Sequence, residues 1–144
     1  MTFWTAPLNP NPYKHITINY LMAQWQVTEE SAVPKLKKPI LIEGLPGIGN
    51  VGKIAVDFMI EDLKATKLYS FFSHKFPHSV FVNEDNLVEM PKLELYYKKY
   101  NGNSKKPDLL FLTGDIQPID EESCYTFCDE ILRIAKEHKC AEII

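Results

Sequence analysis

The sequence predicts an α/β domain, a central sheet with flanking helices. Two short apolar runs, "PILIE" (39–43) and "DLLFLTG" (108–114), read as strands buried on both faces. Each is followed by a turn and then by a stretch with helical apolar spacing. Between them lie shorter alternating segments divided by turn residues, as in a sheet built partly from hairpins.

In chain order, residues 1–21 come first. Prolines and asparagines crowd into "PLNPNP" and no periodicity appears, so this stretch reads as a poorly ordered N-terminal extension. Met22 is a candidate natural start, because "AQWQVTEE" after it alternates like an opening strand. "PILIE" is the first buried strand, followed by the glycine-rich "GLPGIGNVG" and a helix. Val51, Ile54, Ala55, Phe58, Met59 and Leu63 fall on one helical stripe, expected to face the core. Lys53, Asp57, Glu61 and Lys64 lie off that stripe and are expected outside. "KLYSFFSH" (67–74) is the next strand, and strand, helix and strand together predict a right-handed crossover.

"SVFVN" (79–83), "NLVEM" (86–90) and "KLELYYKKY" (92–100) predict a meander or hairpins ending at the turn "NGNS". After "DLLFLTG", the acidic "DIQPIDEES" leads into a second helix. Asp120 is its candidate N-cap, with Glu121 and Glu122 opposing the positive end of the helix dipole. Cys124, Tyr125, Cys128, Ile131, Leu132 and Ala135 form its expected apolar stripe. The chain then reaches "CAEII", the opening of another buried strand. The expected organisation is a single domain over 22–144, truncated at its C-terminus.

Composition narrows the function classes. The chain is 45% hydrophobic and 24% charged with a net charge of −3, an ordinary globular balance. "KLKK", "YYKK" and "SKKP" have acidic neighbours and make no basic stripe, so nucleic acid and anionic membranes are not expected partners. No apolar run reaches the roughly 20 residues that span a bilayer, and the N-terminus has no signal-peptide pattern. Three cysteines without framework spacing fit free thiols in a reducing cytoplasm.

The glycine loop poses the sharpest question. Gly47, Gly49 and Gly52 spell G-x-G-x-x-G, and Gly47 to Lys53 spell G-x-x-x-x-G-K. A P-loop closes with a hydroxyl that ligates magnesium; Ile54 stands there instead. A dinucleotide fold places a carboxylate at the end of its second strand, and "SFFSH" supplies none. The reading that needs no ligand is a tight strand-to-helix turn in which glycines supply positive φ or close approach. On that reading Gly44, Pro46, Gly47, Gly49, Gly52 and Gly114 are structural, Gly52 letting the helix sit close to the sheet. The alternative is a nucleotide-binding or nucleoside-processing enzyme using loop 44–53, with Gly47, Gly49, Gly52 and Lys53 as ligand contacts.

Other constellations point the same way. His74 and His78 flank Pro77 with no third ligand nearby, so no metal is expected. Cys124 and Cys128 share the second helix's expected apolar stripe, where burial is favoured over redox or zinc chemistry. Ser123 and His138 suggest no nucleophile triad. Tyr96 and Tyr100 share one strand face and Tyr97 opposes them, making this trio a candidate interaction surface.

"LIEGLPGIGNVGKIAVDFMIEDLKATKLYS", "LVEMPKLELYY" and "DLLFLTGDIQP" together resemble archaeal members of the proteasome assembly chaperone family. These are relatives of the second subunit of the eukaryotic pair that scaffolds the α-ring. The resemblance runs from about residue 38 to the last residue. It implies a phosphorylase/hydrolase-like α/β fold, no catalysis and no cofactor. It also implies homo-oligomers and, for some members, binding of proteasome α subunits through a C-terminal hydrophobic-tyrosine-any tail. This sequence ends "AEII" and departs from that pattern.

Overall fold

A computed structural model of the protein describes residues 25–100 and 106–144. The expected N-terminal extension, the Met22 start and the "NGNS" turn lie outside the described residues. The elements in order are β1 (Gln26–Glu29), β2 (Ile40–Gly44), a 3-10 turn (Ile48–Asn50), α1 (Val51–Asp62) and β3 (Thr66–Phe72). There follow β4 (Phe81–Val82), β5 (Val88–Glu89), β6 (Leu93–Lys98), β7 (Leu109–Gly114), α2 (Glu121–Glu137) and β8 (Glu142–Ile143).

Six strands form one sheet in the order β1-β3-β6-β7-β2-β8, and β4 pairs only with β5 in a separate hairpin. β2 runs parallel to β7 and β8, whereas β6 runs antiparallel to both β3 and β7. β2 and β3 are therefore parallel, as a crossover requires, but β6 and β7 lie between them. The sequence neighbours around α1 are not sheet neighbours. The expected meander also divides: β4 and β5 leave the main sheet and β6 alone enters it.

Strand alternation sorts the two sheet faces. Leu95 pairs with Tyr69 on one side and Leu112 on the other, and Leu93 with Phe71 and Gly114. These side chains meet α2 in a core that includes Leu41, Leu68, Leu110, Phe127, Ile131, Ile134 and Ala135. Phe127 stands edge-on to Phe71 at 5.9 Å between centroids and 4.7 Å from Trp25. The Trp25 indole donates to Thr126 Oγ1 at 3.1 Å, so β1 is tied to α2 by a polar tip as well as by its ring. Asp120 caps α2, accepting from the Ser123 amide at 3.0 Å and the Ser123 hydroxyl at 2.6 Å.

The expected apolar stripe of α2 is rotated. Ser123, Phe127, Ile131, Ile134 and Ala135 are buried, while Tyr125 and Leu132 are exposed and Cys128 faces solvent. Phe127 decides the register, because its ring fills the gap between Trp25 and Phe71. β8 also differs from expectation: it pairs with β2, but Ile143 and Ile144 are exposed.

The larger departure is α1. Only Val56 on this helix is buried, over a sheet face whose central residue is the fully buried Phe111. Val51, Ile54 and Phe58, expected in the core, are 72%, 63% and 67% exposed. Lys53 and Asp57, expected outside, are partly covered. Their hydrogen bonds explain the reversal. Asp57 accepts from the Thr113 hydroxyl of β7 at 2.6 Å and from Lys53 at 2.9 Å. A polar anchor turns this helix toward the sheet, and its apolar face points outward.

Candidate functional site: a polar cleft and exposed apolar faces

The C-terminal ends of β2 and β7 lie side by side and launch the two loops that precede the helices. The Gln117 side-chain amide donates to the Pro46 carbonyl and joins these loops. Gly44 ends β2 directly beneath α1: a Cβ there would lie 2.5 Å from the Val56 side chain and 2.7 Å from the Gly52 carbonyl. Gly49 turns the chain with φ of 71°, and Asn50 follows with φ of 54°. Gly114 closes β7 against the Lys92 carbonyl. Gly47 and Gly52 have no such neighbours; no heavy atom beyond their own surroundings lies within 4 Å. Gly52, expected to let the helix sit close to the sheet, is exposed, and Gly44 makes the close approach instead.

Between α1 and the β6–β7 surface lies a cleft of about 340 Å³ lined by Lys53, Asp57, Glu94, Tyr96, Thr113 and Asp115, among others. Lys53 sits 2.9 Å from Asp57 and 3.8 Å from Asp115. The Tyr96 hydroxyl donates to Glu94 at 2.8 Å, and the same carboxylate meets Lys67 at 2.5 Å. Burial, reinforced by the bond to Glu94, pushes the Tyr96 phenol well above its ordinary range. Each cation in this cleft faces a carboxylate of the same chain. For a phosphate ligand that is an unfavourable arrangement: Lys53 is engaged, and Asp57 and Asp115 would repel the anion.

The three tyrosines do not act as one patch. Tyr96 faces the cleft with Lys67 over its ring at 5.8 Å. Tyr97 packs against the core on the other face. Tyr100 donates its amide to Asp108 Oδ1 at 2.8 Å, with Lys106 5.6 Å from its ring. All three are half-buried. Exposed apolar side chains gather elsewhere, among them Ile48 and the outer side of α1, and Val80, Val82, Leu87, Val88 and Met90 on the β4–β5 hairpin. Glu89 and Lys92 at the hairpin's base line the same cleft as Lys53 and Asp57 of α1. Sequence periodicity located the apolar residues of α1 correctly and assigned them the wrong side; Asp57 opposite Thr113 was the signal it could not contain.

Among the described residues no three His, Cys, Asp or Glu side chains gather as a metal site. Cys128 is exposed, contrary to the burial expected, whereas Cys124 is partly buried and donates its thiol to the Pro118 carbonyl at 3.3 Å. His138 is buried at the C-terminal end of α2, edge-on to Tyr69 at 6.2 Å, with Nε2 lacking a partner among the described residues. Burial holds its pKa below the usual imidazole value, with Glu137 pulling weakly the other way. No helix among the described residues is long and apolar enough to cross a membrane.

The mixed sheet and the glycine turn locked to the β7–α2 loop make an α/β scaffold with a polar cleft beside α1. Residues 41–144 match the PAC2 family, and the chain belongs to it. An uncharacterised protein of Methanocaldococcus jannaschii is 32% identical over 106 residues, which are 74% of this chain and 39% of that protein. The crystal structure of Pyrococcus furiosus PbaB, an archaeal proteasome activator, is similar with a TM-score of 0.74 and 35% identity. That match covers 85% of this chain and 50% of PbaB. Pyrococcus furiosus PbaA, an archaeal homologue of proteasome-assembly chaperone, shares the fold at a TM-score of 0.57 and 22% identity, over 83% of this chain and 46% of its own. The chain thus spans half or less of the length of these relatives.

Proposed function

We propose that the protein is a non-enzymatic, cytoplasmic scaffold of the proteasome-assembly type that holds partner proteins against its exposed apolar faces. One observation carries the reading: Val51, Ile54 and Phe58 line the outward side of α1 while Lys53 and Asp57 are turned toward the sheet. Soluble proteins seldom leave a contiguous apolar face uncovered unless something binds there. The PAC2 membership and the likeness to PbaB, an archaeal proteasome activator, favour proteasome subunits as partners, the α subunits being our choice among them. The engaged state of Lys53 disfavours the alternative, a nucleotide enzyme built on loop 44–53.

The test is co-purification with proteasome α subunits at micromolar concentration. Wild-type protein retains them, and the pair Ile54→Asp, Phe58→Asp loses them while keeping its melting temperature. Equal recovery with wild type and variant removes α1 from the contact, and no recovery with either defeats the reading. A rise of several degrees in melting temperature with millimolar ATP, GTP or NAD would favour the enzyme instead.

A further inference from the structure

The two helices treat their dipoles differently. α2 opens with Glu121 and Glu122 and carries Lys136 in its last turn, the arrangement a helix dipole favours. α1 has no acid in its first turn, where Lys53 stands, and no base in its last, where Glu61 and Asp62 stand. Lys98, which reaches the Leu63 carbonyl, and Lys64 just past the helix temper that end. The stability of α1 gives no reason for two carboxylates there, since bases would serve it better. Residues that break a local rule without gain to the fold mark a site used for something else.

Their placement says what. At about 100° per residue, Glu61 falls between Asp57, on the cleft side of α1, and Ile54 and Phe58, on its outward side. Asp62 falls among the outward residues, and both carboxylates are exposed. Glu61 also lines the cleft, where five carboxylates stand against three lysines. Asp57 and Asp115 share Lys53, Glu94 has Lys67 and Glu89 has Lys92. Glu61 is left without an ion pair among the described residues. The outward side of α1 is thus an apolar stripe, two turns or about 10 Å long, that ends in uncompensated negative charge about 5 Å further on.

We infer that this side of α1 receives an amphipathic helix of a partner protein, its apolar stripe on Val51, Ile54 and Phe58 and its arginine or lysine set on Glu61 and Asp62. A stripe of i, i+3, i+7 spacing packs best against another of the same spacing, and the partner's cation follows its apolar anchors by one turn. A second copy does not supply that helix. α2, the chain's other helix among the described residues, carries five carboxylates against Arg133 and Lys136, and Glu130 and Glu137 hold Arg133. The inference deepens the scaffold reading and rests on it, adding the shape and charge of what is held.

Two labelled peptides of about 18 residues, long enough to form a helix, test it by fluorescence anisotropy against the full chain. They share one leucine stripe; one carries arginines a turn beyond the leucines and the other glutamates. The arginine peptide is expected to bind about tenfold tighter or better. Glu61→Gln/Asp62→Asn abolishes that preference while the melting temperature holds or rises, and Ile54→Asp/Phe58→Asp weakens both peptides. Equal binding of the two peptides to wild type, binding of neither, or a preference that survives Glu61→Gln/Asp62→Asn overturns the inference. So does wild-type self-association that Ile54→Asp/Phe58→Asp disperses, which would seat a second copy on α1. If α subunits are retained by the Glu61/Asp62 variant and lost by the Ile54/Phe58 variant, the scaffold reading stands and this one falls. The wild-type peptide comparison decides the matter even if a variant fails to fold.

Discussion

At the scale of single residues, two positions carry consequences out of proportion to their size. Gly44 has no room for a side chain, since a Cβ would lie 2.5 Å from Val56 and 2.7 Å from a backbone carbonyl. Gly44→Ala therefore forces α1 off the sheet and costs about 1–3 kcal/mol, the usual range for overpacking. Gly52→Ala meets nothing and gains helix propensity, stabilising by a few tenths of a kcal/mol up to about 1. Urea denaturation of the two variants should thus move in opposite directions. His138 supplies a pH dependence whose sign is fixed by burial. Its folded pKa lies below the ordinary 6.5, so the unfolded chain binds the proton more readily. The stability it contributes is complete above about pH 6.5 and is lost as pH falls from there through the folded value. The urea midpoint should fall on acidification from pH 7.5 to 5, and His138→Leu should flatten that slope relative to wild type. An unchanged slope would show that the native imidazole reaches solvent.

At the scale of elements, α1 and α2 are held by different forces, and the difference is testable. α2 docks through Phe127, so Phe127→Ala opens a cavity beside Trp25 and Phe71 and costs about 3–5 kcal/mol. α1 docks through Val56 and the Thr113–Asp57 bond, and Thr113→Val leaves Asp57 without its partner on the sheet. That change costs about 1–3 kcal/mol, measured as a shift in denaturation midpoint. The same contrast explains what was legible in the sequence. "PILIE" and "DLLFLTG" announce buried strands by composition, and Asp120 announces a helix start by its relation to Ser123. Helix existence follows from local periodicity, but which side faces inward depends on partners distant in sequence. Asp57 and Thr113 are 56 positions apart, and no local pattern contains that bond. In α2 the spacing was right and the stripe was misplaced, because Cys124, Tyr125 and Cys128 outweighed a single Phe127. The glycines divide similarly: the motif spacing singled out Gly47 and Gly52, while steric contact singles out Gly44.

At the scale of the whole molecule, exposed apolar surface is the dominant feature. Val80, Val82, Leu87, Val88 and Met90 on a two-stranded hairpin contribute little to the core, being more than half exposed. Val82→Lys with Val88→Lys should leave stability within about 0.5 kcal/mol of wild type. It should also raise the protein's solubility limit and lower its binding of an apolar dye. A large loss of stability would show that the hairpin is packed more tightly than its exposure indicates.

The position of β7 reaches into how the chain is made. Among the described residues β2 has only β7 and β8 as neighbours, so a nascent chain emerging from the ribosome holds residues 40–62 with no sheet to join until residues 109–114 have also left the exit tunnel. The 64 residues from 45 to 108 are therefore synthesised before the second strand finds its mate in β7, and the apolar run "ILI" must be kept from stray pairing throughout that interval.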